Sequence, residues 1–310
     1  MRTAFLKTLT ELAENDPRIT LVVGDLGFSV VEDFARRFPS QFLNAGVAEQ
    51  NMTSLAAGMA LSGRVVFTYS IANFPTLRCL EQIRNDVCYH GADVKVVSVG
   101  GGYAYGALGS THHATEDMAI LRALPGMCVV APGDPVEAAH ATKGLAARKG
   151  PGYLRLGKAG EPVVHAGSID FLLGRALILR DGRDIALIST GGMLATVTRA
   201  ADTLSAAGIS AKVISMHTLK PLDTGAITGA ARETGAILTV EEHSVIGGLG
   251  SAVAECLAQS PVRAAFRIMG LPDAFCRKVG GQEYLRTSVG LSAGDIVSAA
   301  RELVSRKGGN

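Results

Sequence analysis

Short apolar runs rich in β-branched residues alternate with longer alanine-rich segments along the first half of the chain. The runs predict strands, and the segments between them have apolar residues at helical spacing with glycine or proline near their ends. The predicted strands are 19–25, 94–102, 127–134 and 152–158, and the predicted helices are 31–38, 51–63, 77–91 and 135–150. Continuous apolar strands separated by helices are typical of a parallel sheet that helices cover on both faces.

The pattern breaks between residues 160 and 184 and then resumes. The intervening segment contains glycines, a proline and only a short strand-like stretch. The second series predicts strands at 185–192, 211–219, 237–244 and 263–270, and helices at 194–208, 223–235, 247–259 and 293–308. We therefore predict an α/β protein with two three-layer α/β/α domains, at 1–165 and 185–310, joined by a linker at 166–184.

The composition excludes several classes of protein. With 47% hydrophobic residues, 19% charged residues and a formal charge of +2, the chain is too apolar and too neutral to be disordered. No stretch approaches the roughly 20 apolar residues of a membrane-spanning helix, and the basic pairs at 36–37 and 306–307 do not form the stripe that nucleic acid requires. The five cysteines are widely spaced without a C-x-x-C pair, and the charged start lacks a secretory apolar region. We therefore predict a reduced, cytoplasmic protein without a metal site.

Two glycine-rich segments are ambiguous when each is taken alone. GGLGS at 247–251 lies between a strand and a helix, where it fits either an anion held by backbone N–H groups or close strand–helix packing, and packing is favoured. The loop 100–110 is of the kind that moves to admit a substrate. The adjacent His112 and His113 follow that loop, and they make a poor metal clamp because neighbouring side chains point in different directions.

Two acidic positions also allow more than one interpretation. Glu49 begins an alanine-rich helix directly after a predicted strand. A carboxylate there either interacts with the helix dipole or acts in catalysis, and the sequence alone does not separate the two. Glu241-Glu242-His243 ends a strand, and we interpret it as a solvated turn rather than a site.

Taken together and in order, the segments are far more specific. MRTAF, VVGDL, NAGVAEQNM, LEQIRND, GSTHHATEDMAILRALPGMCVVAPGDPVEA, YLRLGK, STGGM and VEEHSVIGGLGSAVAE resemble the C-terminal portion of transketolase. The resemblance covers nearly the whole chain and extends less closely to 1-deoxyxylulose-5-phosphate synthase and to the β subunits of 2-oxoacid dehydrogenases. It implies the pyrimidine-binding domain of a thiamine diphosphate enzyme, followed by a transketolase C-terminal domain with a mixed, mostly parallel sheet.

The resemblance further implies that the rest of the enzyme is a separate polypeptide. Transketolases hold Mg²⁺ and the diphosphate with a G-D-G motif and a downstream asparagine, whereas Gly24-Asp25-Leu26 lacks the second glycine. We expect one subunit of a split transketolase that is active only with an N-terminal subunit, as an α2β2 heterotetramer. Self-association would involve both domains of this chain, and the isolated chain would not bind the cofactor.

Two catalytic residues follow from the same resemblance. Glu49 in AEQNM matches the glutamate that bonds N1′ of the cofactor pyrimidine and drives the imino tautomer that removes the C2 proton. His112 in GSTHH matches the histidine that contacts hydroxyls of the donor sugar, and histidine suits that role at neutral pH. His113 is interpreted as its neighbour and not as a catalytic residue.

The wall that stacks on the pyrimidine departs from the family. In a gapless alignment from Gln82-Ile83-Arg84, the usual phenylalanine positions fall on Ala72 and Pro75. We assign the stacking role to Phe74 after a shift of one residue, with Tyr69 as the alternative. Arg78 would line the same wall.

The predicted substrate contacts are partly those of the family. Arg2 and Ser29 match the residues that hold the acceptor phosphate, and Lys158 replaces a second arginine, so it binds phosphate without a bidentate fork. A family histidine falls on Gly100 and a hydroxyl-binding aspartate falls on Leu108. These departures argue against ordinary pentose phosphates as substrates, although not against ketol transfer.

The leading hypothesis is therefore transfer of a two-carbon ketol unit from a ketose, or its phosphate, to an aldose or its phosphate. One alternative is another thiamine diphosphate reaction, of the 1-deoxyxylulose-5-phosphate synthase or 2-oxoacid dehydrogenase type. A non-catalytic partner chain is the other alternative. The joint presence of Glu49, His112 and Arg2 argues against it, because a purely structural chain has no evident need for all three.

Overall fold

Two β-sheets form the framework of the protein in the computed structural model, which describes residues 1–307. The strands are β1 (Ile19–Val23), β2 (Phe42–Asn44), β3 (Val65–Ile71), β4 (Val94–Val99), β5 (Cys128–Val130), β6 (Gly152–Leu156), β7 (Leu177–Arg180), β8 (Ile185–Ser189), β9 (Ala211–Ser215), β10 (Thr218–Lys220), β11 (Ala236–Ser244) and β12 (Ala265–Leu271). The ends of the predicted last helix, 308, and of the predicted second domain, 310, lie outside the described residues.

Helices cover these sheets. They are α1 (Arg2–Asn15), α2 (Glu32–Arg37), α3 (Glu49–Leu61), α4 (Leu80–Gln82), α5 (Asp117–Ala123), α6 (Pro135–Ala147), α7 (Leu194–Ala206), α8 (Thr224–Thr234), α9 (Leu249–Ala258), α10 (Gln282–Ser288) and α11 (Ala293–Lys307). Helix α4 continues as a π-helical segment, Ile83–Cys88, and short 3₁₀ turns occur at Pro39–Gln41, Gly106–Leu108, Ser110–His112 and Gly191–Met193.

The first sheet has seven strands in the order β10-β5-β6-β4-β3-β1-β2, and the second has five in the order β12-β11-β8-β9-β7. All neighbouring strands are parallel except β10 beside β5 and β7 beside β9. The prediction of two α/β domains with mixed, mostly parallel sheets is confirmed. Strand β7 lies within the segment 166–184 and pairs with β9 at the edge of the second sheet.

Side chains of the first sheet alternate between two apolar clusters, as the pleat of a strand requires. On β3, Val66 belongs to the cluster that contains Met52 of α3, whereas Phe67 and Tyr69 belong to the cluster that contains Phe5 of α1. The cluster on the α3 side continues into the second sheet, where it includes Ile188. The two domains therefore share one continuous apolar core.

Several predicted elements need correction. The predicted strand 211–219 is two strands, β9 and β10, and β10 leaves the second sheet to pair with β5 of the first. The central strand β3 and the helices α1, α5 and α10 are not among the predicted elements. The predicted helix 77–91 is shorter and largely π-helical, since α4 and its continuation span 80–88.

The topology places the loops that follow β1, β2, β3, β4 and β6 at one edge of the first sheet, because the carboxyl ends of parallel strands share an edge. In open α/β sheets, ligands bind at this edge. Helix α1 runs back toward β1, so its first residues lie at the same edge. Within residues 1–307, no helix combines the length and apolarity needed to cross a membrane.

A substitution of Lys220, at the end of β10, tests how much this strand's contact with the first domain stabilises the protein. Its Nζ donates to the main-chain oxygens of Arg122 at 2.9 Å and Leu124 at 2.6 Å. We expect Lys220→Ala to lower the free energy of unfolding by about 2 kcal/mol, because two partly buried carbonyls lose a charged donor. Urea titration followed by circular dichroism measures this loss. The exposed Lys143 is the control, and an equal effect of Lys143→Ala would contradict the assigned role.

Candidate active site

Glu49 is the first residue of α3 and is buried at the edge of the sheet where the loops converge, with 1% of its surface exposed. Its Oε2 accepts a hydrogen bond from Arg78 Nη1 at 2.7 Å. Its Oε1 is buried without a hydrogen-bond partner. A Cβ built on Gly24 would lie 3.4 Å from Glu49 Cγ and 3.7 Å from Ser70 Oγ, so the carboxylate side chain packs against the ends of β1 and β3.

A chain of side-chain contacts leads from Glu49 to His112. Arg78 has 45% of its side chain exposed, and its guanidinium carbon lies 4.7 Å from the centre of the Phe74 ring. The Phe74 ring is in edge contact with the His112 ring, with 5.3 Å between centroids. Four residues predicted from the sequence, Glu49, Phe74, Arg78 and His112, are thus brought together.

Tyr69 lies elsewhere. It precedes Ser70 on β3, and because successive residues of a strand point to opposite faces, its ring lies on the other side of the sheet from Glu49. There it stacks on Phe5, with 6.1 Å between centroids, and it is 1% exposed. Burial raises the pKa of its phenol, and the nearby Arg2 charge opposes that shift. Tyr69 is therefore not among the residues that face Glu49.

The loop from β3 to α4 owes its shape to Ala72. This residue has φ +40°, in the left-handed region that costs free energy for any residue with a side chain. Its carbonyl oxygen accepts bonds from Ser98 Oγ at 2.8 Å and Thr76 Oγ1 at 3.0 Å, which hold the turn. The chain is thereby redirected so that Phe74 and Arg78 face the same region.

Arg2, Ser29 and Lys158 occupy a neighbouring part of the same edge. Arg2 and Ser29 line one cavity of about 480 Å³, and Arg2 Nε is buried without a partner. Lys158 Nζ lies 5.1 Å from the centre of the Tyr105 ring. Burial raises the pKa of the Tyr105 phenol and the Arg2 charge opposes that shift, so Arg2 also lies near Tyr105.

Tyr105 also explains the glycine at position 100. A Cβ on Gly100 would lie 2.2 Å from the ring carbons Cδ2 and Cε2 of Tyr105, so the ring occupies the space that a side chain at 100 would need. Leu108, the other departure from the family pattern, is 56% exposed. Tyr105 is not among the predicted site residues, although it lies in the glycine-rich loop 100–110.

His113 differs from His112 in its surroundings. It is 3% exposed, its ring contacts Tyr103 with 4.9 Å between centroids, and its Nε2 has no partner. Burial lowers the pKa of this histidine, so its ring is neutral at pH 7.

The residues around Glu49 fit the pyrimidine of thiamine diphosphate. The unpartnered Oε1 is an acceptor for a ring nitrogen that carries a proton, and Ser70 Oγ beside it is also buried without a partner. Buried acceptors normally have donors, so these two atoms are free to accept hydrogen bonds from a ligand. Phe74 and Arg78 add a planar wall beside that place. Among the described residues, no group of three or more His, Cys, Asp or Glu side chains is arranged to hold a metal ion.

At GGLGS (247–251), the N–H groups at the start of α9 are bonded by Glu241, which takes the place that an external anion would have. Its carboxylate accepts the N–H groups of Leu249 and Gly250, both at 2.7 Å. A Cβ on Gly248 would lie 2.1 Å from Glu241 Oε2, so glycine is needed for this approach. Glu241, Glu242 and His243 are all buried, so the expected solvated turn is wrong.

Two family models match the chain, the transketolase pyrimidine binding domain over residues 1–160 and the transketolase C-terminal domain over residues 174–296. The chain belongs to the transketolase family. It is the C-terminal subunit of a split transketolase, a transferase, and its family depends on thiamine diphosphate.

Individual relatives of this transketolase subunit agree with that assignment. A subunit of the apulose-4-phosphate transketolase of Phocaeicola vulgatus is 41% identical over 98% of this chain and 97% of the relative. The 6-deoxy-6-sulfo-D-fructose transketolase subunit SqwH of Clostridium sp. is 39% identical over 99% of this chain and 95% of the relative. A solved split gene transketolase, an inactive β4 tetramer, is 39% identical with a TM-score of 0.91, covering 99% of this chain and 98% of that one.

The buried Glu241 gives this transketolase subunit a specific pH dependence. Burial raises the pKa of the carboxyl from 4.5 to about 7, so its contribution to stability is full below pH 4.5 and is lost as the pH rises through 7. We expect the free energy of unfolding to fall by roughly 3 kcal/mol from this group between about pH 5 and pH 8. Urea titration of the isolated chain at both pH values measures it.

The comparison with Glu241→Gln isolates the Glu241 contribution. Burial lowers the pKa of the neighbouring His243, which opposes the trend, but wild type and variant share that contribution. The variant should lack the loss of stability on raising the pH. A pH dependence that is the same in both proteins would contradict the assignment to Glu241.

Proposed function

We propose that this subunit supplies the pyrimidine side of a thiamine diphosphate site, and that a separate N-terminal subunit supplies the ligands for the diphosphate and Mg²⁺. The observation that carries the proposal is the buried, unpartnered Oε1 of Glu49, held in place by Arg78 on the other oxygen. When bound, the cofactor supplies a nucleophilic carbon that accepts the two-carbon unit.

Glu49 has the central role in this proposal. Its Oε1 would accept a hydrogen bond from the pyrimidine N1′ and thereby favour the tautomer that removes the C2 proton. Arg78 fixes the orientation of the carboxylate through Oε2. Phe74 would stack on the pyrimidine ring, and the guanidinium of Arg78 against the Phe74 ring limits how far that ring can turn.

His112 and the basic residues would bind the substrate. His112 is half-buried and touches Phe74, so it would lie beside the reacting carbon, where it can bond hydroxyls of the donor sugar. Arg2, Ser29 and Lys158 would hold an anionic group at the far end of the sugar. The names of the two relatives describe sugars with such a group, a phosphate in one and a sulfonate in the other.

The complete enzyme would be an α2β2 heterotetramer, in which copies of this chain associate through both of their domains. The site is open to solvent on one side, where a partner would close it. Arg78 is half-exposed there, and Val47, which lies on the segment that leads into α3, is strongly exposed. The domain division at 165 and 184 and the cytoplasmic location stay predictions.

Reconstitution with the N-terminal subunit tests the reaction. We expect the complex, supplied with thiamine diphosphate and Mg²⁺, to transfer a two-carbon unit from a ketose phosphate or sulfonate to an aldose. Glu49→Ala should lower kcat about 100- to 10,000-fold, because proton transfer through the pyrimidine loses its acceptor. Coupled assays of product formation measure both quantities.

Two controls sharpen this test. Glu302→Gln changes an exposed carboxylate on α11 that pairs with Arg267, and it should leave kcat unchanged. An assay with pyruvate in place of the ketose distinguishes a decarboxylating reaction from ketol transfer. Release of CO₂ without an aldose-derived product would contradict ketol transfer, and a Glu49→Ala complex as active as the wild type would contradict the role of Glu49.

The division of ligands between subunits predicts weak cofactor binding by this chain alone. We expect isothermal titration of the isolated chain with thiamine diphosphate and Mg²⁺ to show no tight binding, because one acceptor and one aromatic wall hold only the pyrimidine. The reconstituted complex should bind at least about 100-fold more tightly, since the charged diphosphate then gains its ligands. Equal affinities for the isolated chain and the complex would contradict the proposed division.

A further inference from the structure

The segment that carries His112, residues 103–113, is held at both ends; we call it the His112 loop. At its start, the N–H of Tyr103 donates to Glu242 Oε1 at 3.0 Å. Directly after its end, the carbonyl oxygen of Ala114 accepts from Arg155 Nη2 at 2.7 Å, and the same nitrogen donates to the carbonyl oxygen of Glu242 at 3.0 Å. Glu242, a residue of the second domain, is therefore linked to both ends of the loop.

The Glu242 carboxylate is itself rigidly held. It is 3% exposed, and its Oε2 accepts from Arg286 Nη2 at 2.6 Å. Gln282 Nε2 donates to both oxygens, at 3.1 and 2.8 Å. Because Gln282 and Arg286 both belong to α10, the carboxylate has a fixed position relative to the second domain. A buried carboxylate with this many donors resists displacement.

Glycines within the loop and directly before it make these contacts possible. A Cβ on Gly102 would lie 2.4 Å from Glu242 Cδ, and one on Gly101 would lie 2.7 Å from Arg155 Cζ. A Cβ on Gly106 would lie 2.5 Å from Leu285 Cδ1, where the loop meets α10. The glycine-rich composition thus permits close packing against the second domain, a role that the sequence pattern does not predict.

We propose that Glu242 is a positioning residue of the transketolase reaction, through which the C-terminal domain fixes the loop that carries His112. The inference rests on the proposed role of His112. Glu242 acts only through the loop backbone: its carboxylate bonds Tyr103 at one end, and His112 at the other end contacts Phe74. The C-terminal domain would then set the geometry of substrate binding, in addition to any role in assembly.

Hydrogen exchange of the isolated chain tests whether Glu242 holds the His112 loop, without any assay of activity. In Glu242→Ala, we expect the amides of the His112 loop to exchange about 10- to 100-fold faster, because a buried hydrogen bond that fixes its start is lost. Amides of α3 and β9 should exchange as in the wild type, which shows that the fold is intact. Glu242→Gln keeps an acceptor for Tyr103 and should restore part of the protection.

Kinetics of the reconstituted complex test the consequence for function. Glu242→Ala should lower kcat with a sugar donor about 10- to 100-fold, because the histidine that orients the hydroxyls is no longer fixed. The apparent affinity for thiamine diphosphate should stay unchanged, since Glu49 and Arg78 lie outside the loop. A general structural defect would lower both kcat and the affinity for thiamine diphosphate. Glu283→Gln is the control, because this exposed carboxylate also approaches Arg286, at 3.7 Å, without touching the loop.

Each result is decisive. Loop exchange at the wild-type rate in Glu242→Ala would contradict the inference that Glu242 holds the loop. Faster exchange with unchanged kcat would overturn the positioning role. Both of these failures leave the proposed function standing. A wild-type complex that transfers no ketol unit would instead refute the proposed function, and the positioning role with it. If Glu242→Ala does not fold, Gln282→Leu replaces it and should raise loop exchange and lower kcat in the same direction but by less, because it removes two bonds that hold the carboxylate and leaves its bond from Arg286 in place. Exchange and kcat both at the wild-type values in this variant would overturn the positioning role.

Discussion

One buried guanidinium, that of Arg155, connects both domains to the loop that leads to the candidate site. Its Nε donates to Asp117 at 2.8 Å, and its Nη2 donates to the carbonyl oxygens of Ala114 and Glu242. An arginine that is only 5% exposed is tolerated when carboxylate and carbonyl partners replace its water. These partners come from the short stretch between the His112 loop and α5, residues 114–117, and from β11 of the other domain. The need of one side chain for partners therefore holds together two stretches that are distant in the chain.

Most strands of the first sheet are predictable because parallel strands covered on both faces are continuous apolar runs. Strand β3 does not meet this criterion, since Thr68, Tyr69 and Ser70 interrupt its apolar character although it is a central strand. The predicted strand 211–219 fails for another reason. Its pattern is continuous, but Thr218–Lys220 pairs with a strand of the other domain, and such a long-range pairing leaves no signal in the local sequence.

The candidate site divides in the same way. Glu49 at the start of α3 is a local feature, and its position after a strand could be read from the sequence. Whether Tyr69 or Phe74 lies near Glu49 could not, because it depends on the face of β3 to which Tyr69 points and on the turn at Ala72 that carries Phe74. The group that bonds GGLGS could not be predicted from the sequence either. Glu241 reaches the start of α9 only because β11 and α9 pack together, and spacing alone cannot distinguish an internal carboxylate from an external anion.

The orientation of Glu49 shows how a subunit can be organised before its site is complete. A buried acceptor without a partner costs about 1–3 kcal/mol, so an isolated carboxylate would turn toward water. The bond from Arg78 to Oε2 opposes that rotation, and the packing against Gly24 leaves the side chain little room. The free oxygen therefore keeps its direction in the isolated chain. In the proposed complex, the pyrimidine would then supply the missing donor to a carboxylate that is already oriented, and its binding would need little rearrangement of this subunit.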